Sequence, residues 1–135
     1  MYSANITRRQ HLTDTLFFLN NMAIKGIGVD IVEINRFRKT GAVVREQFIA
    51  NNFSERERLY IFSHTDWATH LAGSFAAKES VVKALGGARI VVASVEIVRD
   101  KVGRPLVYVD GRYRKDILTT ISHSGKVAIA FSIYT

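Results

Sequence analysis

The sequence contains no cysteine, which excludes disulfides and thiolate metal sites and accords with a reducing compartment. No apolar run approaches the roughly 18 residues needed to cross a bilayer, so a membrane span is not expected. Internal repeats and low-complexity stretches are also missing. Acids are scarce: 12 Asp and Glu stand against 19 Lys and Arg, a net charge of +7 at pH 7. That surplus favours an acidic partner, be it nucleic acid, an anionic membrane, a phosphorylated ligand or an acidic protein. What remains is ordinary for a globular domain. The chain has 135 residues, 47% apolar and 23% charged, close to the size and composition of one soluble domain.

Residues 1–21 read differently from the rest. They carry Arg8 and Arg9 with one acid, Asp14, and their only apolar run is Leu16 to Leu19, too short for a secretory h-region. The expected division is an N-terminal extension over 1–21 (an upstream-start or targeting segment) and one domain over 22–135.

Ile24 to Ile31 alternates as a strand, with Ile27, Val29 and Ile31 on one face and Gly26, Gly28 and Asp30 on the other. Ile34, Phe37, Gly41, Val44 and Phe48 recur at helical spacing, with Arg38 and Arg45 beside them. Ser54 and Glu57 form a capping-box signature for a second helix. A third helix is predicted from Trp67 to Leu85, stopped by Gly86 and Gly87. Strands follow at Val91–Val98 and Pro105–Val109, then at 117–122 and 127–134, the last pair closing over His123 to Lys126. The order β-α-α-α-β-β-β-β predicts an α+β fold, a mostly antiparallel sheet with helices packed on one face.

On the third helix, Ala72, Ala76, Glu79 and Lys83 share a lane beside the apolar stripe of Leu71, Phe75, Val82 and Leu85. Two readings stand for Glu79 and Lys83: an i,i+4 ion pair on a solvated face, or an acid and a base beside a closely approaching ligand. Lys78 falls inside the apolar stripe, where a charge needs a partner or a route to water. Asp30 shares its strand face with two glycines that clear space above the pleat. It is either a strand-end acid capping the next helix or a ligand for a cation. Asp30 and Glu79 together suit Mg²⁺, which takes one or two carboxylates plus substrate phosphates. The dinucleotide and Walker fingerprints are incomplete. His11, His64, His70 and His123 lack zinc spacing. His123, between Ser122 and Ser124, is either a structural turn residue or part of an anion-contacting loop.

Three ordered segments carry a resemblance: Gly26-Ile27-Gly28-Val29-Asp30-Ile31-Val32, Phe75-Ala76-Ala77-Lys78-Glu79-Ser80-Val81-Val82-Lys83-Ala84-Leu85-Gly86, and Ile121-Ser122-His123-Ser124. With Gly103-Arg104-Pro105 before a strand, they resemble the short, holo-acyl-carrier-protein-synthase form of the 4′-phosphopantetheinyl transferase superfamily. The resemblance covers about residues 24–134. It implies transfer of the phosphopantetheine arm of coenzyme A to a serine of apo acyl carrier protein, releasing adenosine 3′,5′-bisphosphate, in cytoplasmic fatty acid biosynthesis.

By that resemblance Asp30 and Glu79 are expected to bind Mg²⁺, Glu79 and Lys83 to act in catalysis, and Lys78, Lys83 and His123 to surround coenzyme A. Arg36, Arg38 and Arg45 are expected to meet the acidic carrier, or else simply to solvate their helix. A single copy of the fold implies a homotrimer with active sites between subunits, and neither nucleic acid nor membrane as partner. Two regions depart from the family pattern: Gly86-Gly87 precedes Ala88-Arg89 where a longer glycine-rich stretch is usual, and residues 110–120 are short for a helix-containing connection. The alternatives are a non-catalytic basic α+β module binding nucleic acid or an acidic protein, and an assembly protein that has lost its chemistry. The first needs exposed aromatics interleaved with the basic residues.

Overall fold

A computed structural model describes residues 10–17, 23–87 and 89–135. The expected boundary between residues 21 and 22 lies outside the described residues. Residues 10–17 are helical and exposed.

Strand β1 (Gly26–Glu33) opens the main body. Four helices follow, α1 (Asn35–Lys39), α2 (Ala42–Asn52), α3 (Glu55–Phe62) and α4 (Trp67–Ala84), then a 3-10 turn at Val92–Ser94. Five strands complete it: β2 (Val95–Arg99), β3 (Pro105–Val109), β4 (Arg112–Tyr113), β5 (Ile117–Ser124) and β6 (Val127–Tyr134). The α+β order is as expected, but the strands divide between two antiparallel three-stranded sheets, β1-β6-β5 and β2-β3-β4. The residue 110–120 connection holds the short strand β4 and no helix.

The predicted first helix is two helices. Thr40 turns extended, with ψ 133°, and Gly41 caps α2. Arg45 then folds back, its Nη1 donating to Phe37 O at 3.3 Å and Thr40 O at 3.1 Å. It thereby satisfies carbonyls that the end of α1 leaves open. The capping box at α3 is present in full: Ser54 Oγ accepts from Glu57 N at 3.2 Å, and Glu57 Oε2 accepts from Ser54 N at 2.9 Å. At the end of α4, Gly86 N donates to Lys83 O and Gly87 N to Val82 O. With φ of 84° and 70° at these two residues, this is a Schellman stop.

The core lies where α4 crosses β1 and β6. The lane of small residues on α4 faces inward: Ala72, Ala76 and Ala77 are fully buried. The glycines of β1 meet it. A Cβ on Gly26 would stand 1.9 Å from Ala84 O, and one on Gly28 2.0 Å from Ser80 O. The space they clear is therefore filled by the helix backbone, not kept open for a ligand. The apolar face of β1 points outward instead, with Ile27 61% and Ile31 63% exposed. Register sets Ile27 opposite Ile133, Val29 opposite Phe131 and Ile31 opposite Ile129, so the outer face of β1 and β6 is a continuous apolar surface, while β5 adds Leu118 beside the polar Thr120 and Ser122.

Candidate active site

The contact of β1 with α4 also places the acids and bases singled out in the sequence. Gly26 lies against Ala84, and Gly28 against Ser80 and the Lys83 Cβ, so strand and helix run in opposite senses. Two residues further along β1, Asp30 falls on the same face, opposite the helical turn that carries Ala76 and Glu79. Lys83 reaches across: its Nζ donates to Asp30 Oδ1 at 2.8 Å and to Val29 O at 2.9 Å. The Asp30 side chain is 17% exposed and that of Lys83 51%.

Glu79 sits one turn before Lys83 and is half-buried. It forms no hydrogen bond or ion pair among the described residues. The i,i+4 pair with Lys83 is therefore not made, because Asp30 holds the lysine. Asp30 and Glu79 present oxygen donors on facing elements, and no group of three His, Cys, Asp or Glu able to hold a metal forms among the described residues. Such a site suits a hard ion that shares its coordination with water and phosphate, and magnesium fits it.

Lys78 is not part of this surface. It is 0% exposed, and its Nζ donates to Glu57 Oε1 at 3.0 Å and Oε2 at 2.8 Å, and to Val95 O. Burial lowers its pKa while the Glu57 carboxylate opposes that shift. Lys78, expected beside coenzyme A, is instead placed inside the core, where the charge on the apolar stripe is partnered by Glu57.

His123 belongs to the end of β5 rather than to a turn, since Ser124 pairs with Val127 and leaves only Gly125 and Lys126 in the loop. It lines a cavity of about 220 Å³ with Tyr60, Thr69, His70, Arg99 and Thr120. The Nη1 of Arg99 is buried with no hydrogen-bond partner among the described residues. Burial lowers the pKa of Arg99. Burial, followed by the nearby His64, His123 and Arg99, also pushes His70 down. A cavity lined by Arg99, two imidazoles and hydroxyls offers hydrogen-bond donors to an anion. Arg99 and His70 carried no motif in the sequence, and only the fold brings them to His123.

The three arginines differ. Arg38 bonds Asn35 Oδ1 at 2.8 Å and pairs with Asp66. Arg45 caps α1 and lies 5.1 Å from the Trp67 ring centre. Arg36 has no oxygen partner among the described residues and rests over Phe37 and Phe75. Phe37, Phe48, Phe53 and Phe75 pack on one another, so these rings are not free to stack on bases beside the arginines.

The sequence profile of the 4′-phosphopantetheinyl transferase superfamily matches residues 26–132. The chain belongs to that superfamily. Its relatives include the holo-[acyl-carrier-protein] synthase of Thermodesulfovibrio yellowstonii, 38% identical over 83% of this chain and 99% of the relative. That of Clostridium acetobutylicum is 40% identical over 82% and 96%. Among solved structures, a Bacillus anthracis holo-(acyl-carrier-protein) synthase in complex with CoA (3′,5′-ADP) is similar, with TM-score 0.68 and 30% identity over 82% of this chain and 96% of that one. Asp30, Glu79, Lys83 and His123 all lie within the residues that the superfamily profile matches.

Proposed function

We propose that the chain is a holo-acyl-carrier-protein synthase, transferring the 4′-phosphopantetheine arm of coenzyme A to a serine of apo acyl carrier protein. Asp30 and Glu79 form its Mg²⁺ site. The observation that carries this reading is the Asp30–Lys83 contact beside the unpaired carboxylate of Glu79. In the reaction the carrier's serine oxygen bonds to the β-phosphorus of coenzyme A. The phosphoanhydride P–O bond breaks, adenosine 3′,5′-bisphosphate leaves with the electron pair, and the serine proton passes to a base.

Bound magnesium supplies charge neutralisation at the phosphate oxygens. Lys83, half in solvent, directs its ammonium at the same oxygens and holds Asp30 in place. Glu79 takes the serine proton, directly or through a water. The cavity at His123 receives a further phosphate of coenzyme A, which gives Arg99 Nη1 the partner it lacks.

The exposed apolar face of β1 and β6 supports a homotrimer, since such a patch marks an interface. Arg36, with Arg38 and Arg45 behind it, faces the acidic carrier. The absence of cysteine and of any described helix long and apolar enough to cross a membrane accords with a cytoplasmic reaction.

Intact-mass spectrometry of apo acyl carrier protein incubated with the chain, coenzyme A and Mg²⁺ tests the proposal. The expected result is a gain of one phosphopantetheine arm that EDTA abolishes. No gain on several carriers, from a folded protein, overturns it.

A further inference from the structure

Lys78 and Glu57 form a node that the chemistry above does not use. The Glu57 carboxylate accepts from Ser54 N at 2.9 Å, Ile97 N at 2.9 Å and Lys78 Nζ. The Lys78 ammonium donates to both carboxylate oxygens and to Val95 O, and stands 5.0 Å from the Phe53 ring centre. One buried ion pair thus joins the start of α3, the middle of α4 and the first strand of the second sheet. Its hydrogen bonds are saturated, which is what a charge pair removed from water requires.

The surface of α4 explains why such a node has a task. The residues by which α4 contacts the core are mostly small: Ala68, Ala72, Gly73, Ala76, Ala77 and Ser80. Small side chains let the helix approach β1 closely, but they offer few knobs to fix its rotation. Directional bonds supply what shape does not. Glu79 is the next residue after Lys78, about 100° further round the helix. Any rotation of α4 that moves Lys78 away from Glu57 also moves Glu79 and Lys83 relative to Asp30.

We propose that Lys78 and Glu57 are positioning residues: their buried pair sets the rotation of α4 and thereby aims Glu79 and Lys83 at Asp30. The inference rests on the metal-site reading of Asp30 and Glu79. Lys78 touches neither coenzyme A nor the carrier.

The test compares wild type, Glu79→Gln and the double variant Glu57→Leu/Lys78→Met, which replaces both charges by apolar groups of similar size. Each is assayed for kcat, for KM of coenzyme A, for the Mg²⁺ concentration giving half-maximal rate, and for Mn²⁺ binding by electron paramagnetic resonance without substrate. The double variant is expected to stay folded. Its kcat should fall about tenfold or more and its Mn²⁺ affinity several-fold, with KM for coenzyme A within threefold of wild type. A folded double variant with unchanged kcat and Mn²⁺ affinity overturns the inference. So does a rise in KM for coenzyme A alone, which would make Lys78 a substrate contact. If the double variant does not fold, Glu57→Asp carries the test. It keeps the charge but withdraws the carboxylate by one methylene, and a wild-type kcat with wild-type Mn²⁺ affinity overturns the inference. Full Mn²⁺ binding and transfer by Glu79→Gln would instead defeat the metal-site reading, a separate outcome.

Discussion

Lys83 donates to the carboxylate of Asp30 at 2.8 Å, although 53 residues separate them in the chain. The contact is possible because Gly26 and Gly28 carry no side chain, so α4 lies directly on the backbone of β1. Lys83 and Asp30 thereby meet beside this close helix–strand contact, with Glu79 one turn before Lys83 on the same helix. The ammonium is exposed enough to engage a phosphate, and Glu79 has no partner among the described residues.

Asp30→Ala and Glu79→Gln should each lower the transfer rate by about a hundredfold or more while the circular dichroism spectrum stays unchanged. Lys83→Ala should lower kcat by about 10²–10³, the cost of removing one donor aimed at developing charge. Intact-mass time courses on an apo carrier measure both. A rate within twofold of wild type for any of the three removes that residue from the site.

Gly28→Ala tests the close approach itself. The added Cβ would stand 2.0 Å from Ser80 O and 2.7 Å from Ala84 N, contacts that force the helix off the strand. Overpacking of this kind costs about 1–3 kcal/mol or more. Urea denaturation should show that loss, together with weaker Mn²⁺ binding, because Asp30 and Glu79 sit on the two elements being separated.

Arg99→Met should raise KM for coenzyme A about 10–100-fold, the range for a hydrogen bond to a charged group, with kcat changed far less. Steady-state kinetics at saturating carrier decides it. An unchanged KM would mean that the cavity at His123 holds no part of the substrate.

The titration of His70 gives a pH dependence of stability. Burial is the main cause that lowers its folded pKa below the ordinary 6.5. Between the lowered value and 6.5 the unfolded chain binds more protons than the folded one, so stability rises with pH there. Its contribution is complete above about pH 6.5 and is lost as pH falls through the folded pKa. Thermal melts should show Tm dropping on acidification below about pH 6.5. His70→Gln should flatten that slope in the same window; an unaltered slope would assign the loss to other groups.

Arg36→Glu should raise KM for the carrier about tenfold or more and leave KM for coenzyme A within twofold, with the difference shrinking at high salt. Arg45→Ala should in addition lower Tm, because it removes the cap on α1. Equal effects of Arg36→Glu on both substrates would remove the arginine from carrier recognition.

Several features follow from local sequence, because the interactions that create them are local. Ser54 and Glu57 make the capping box within one turn, Gly86 and Gly87 stop α4 by adopting positive φ, and strict alternation marks β1. The ordered motifs around Asp30, Glu79 and His123 likewise name the residues of the candidate site. Alternation, however, reports that β1 has two faces without saying which is inside. Ile27, Val29 and Ile31 face outward because the glycine face meets α4 more closely than any branched side chain would permit. The continuous helical stripe from Ile34 to Phe48 does not reveal the break at Thr40, where Arg45 returns to cap α1. Lys78 and Lys83 sit five residues apart on one helix, yet Lys78 is sealed in the core against Glu57 and Lys83 stands at the surface against Asp30. Those partners lie 21 and 53 residues away in the chain. Such pairings depend on the packing of whole elements, and only the tertiary structure decides them.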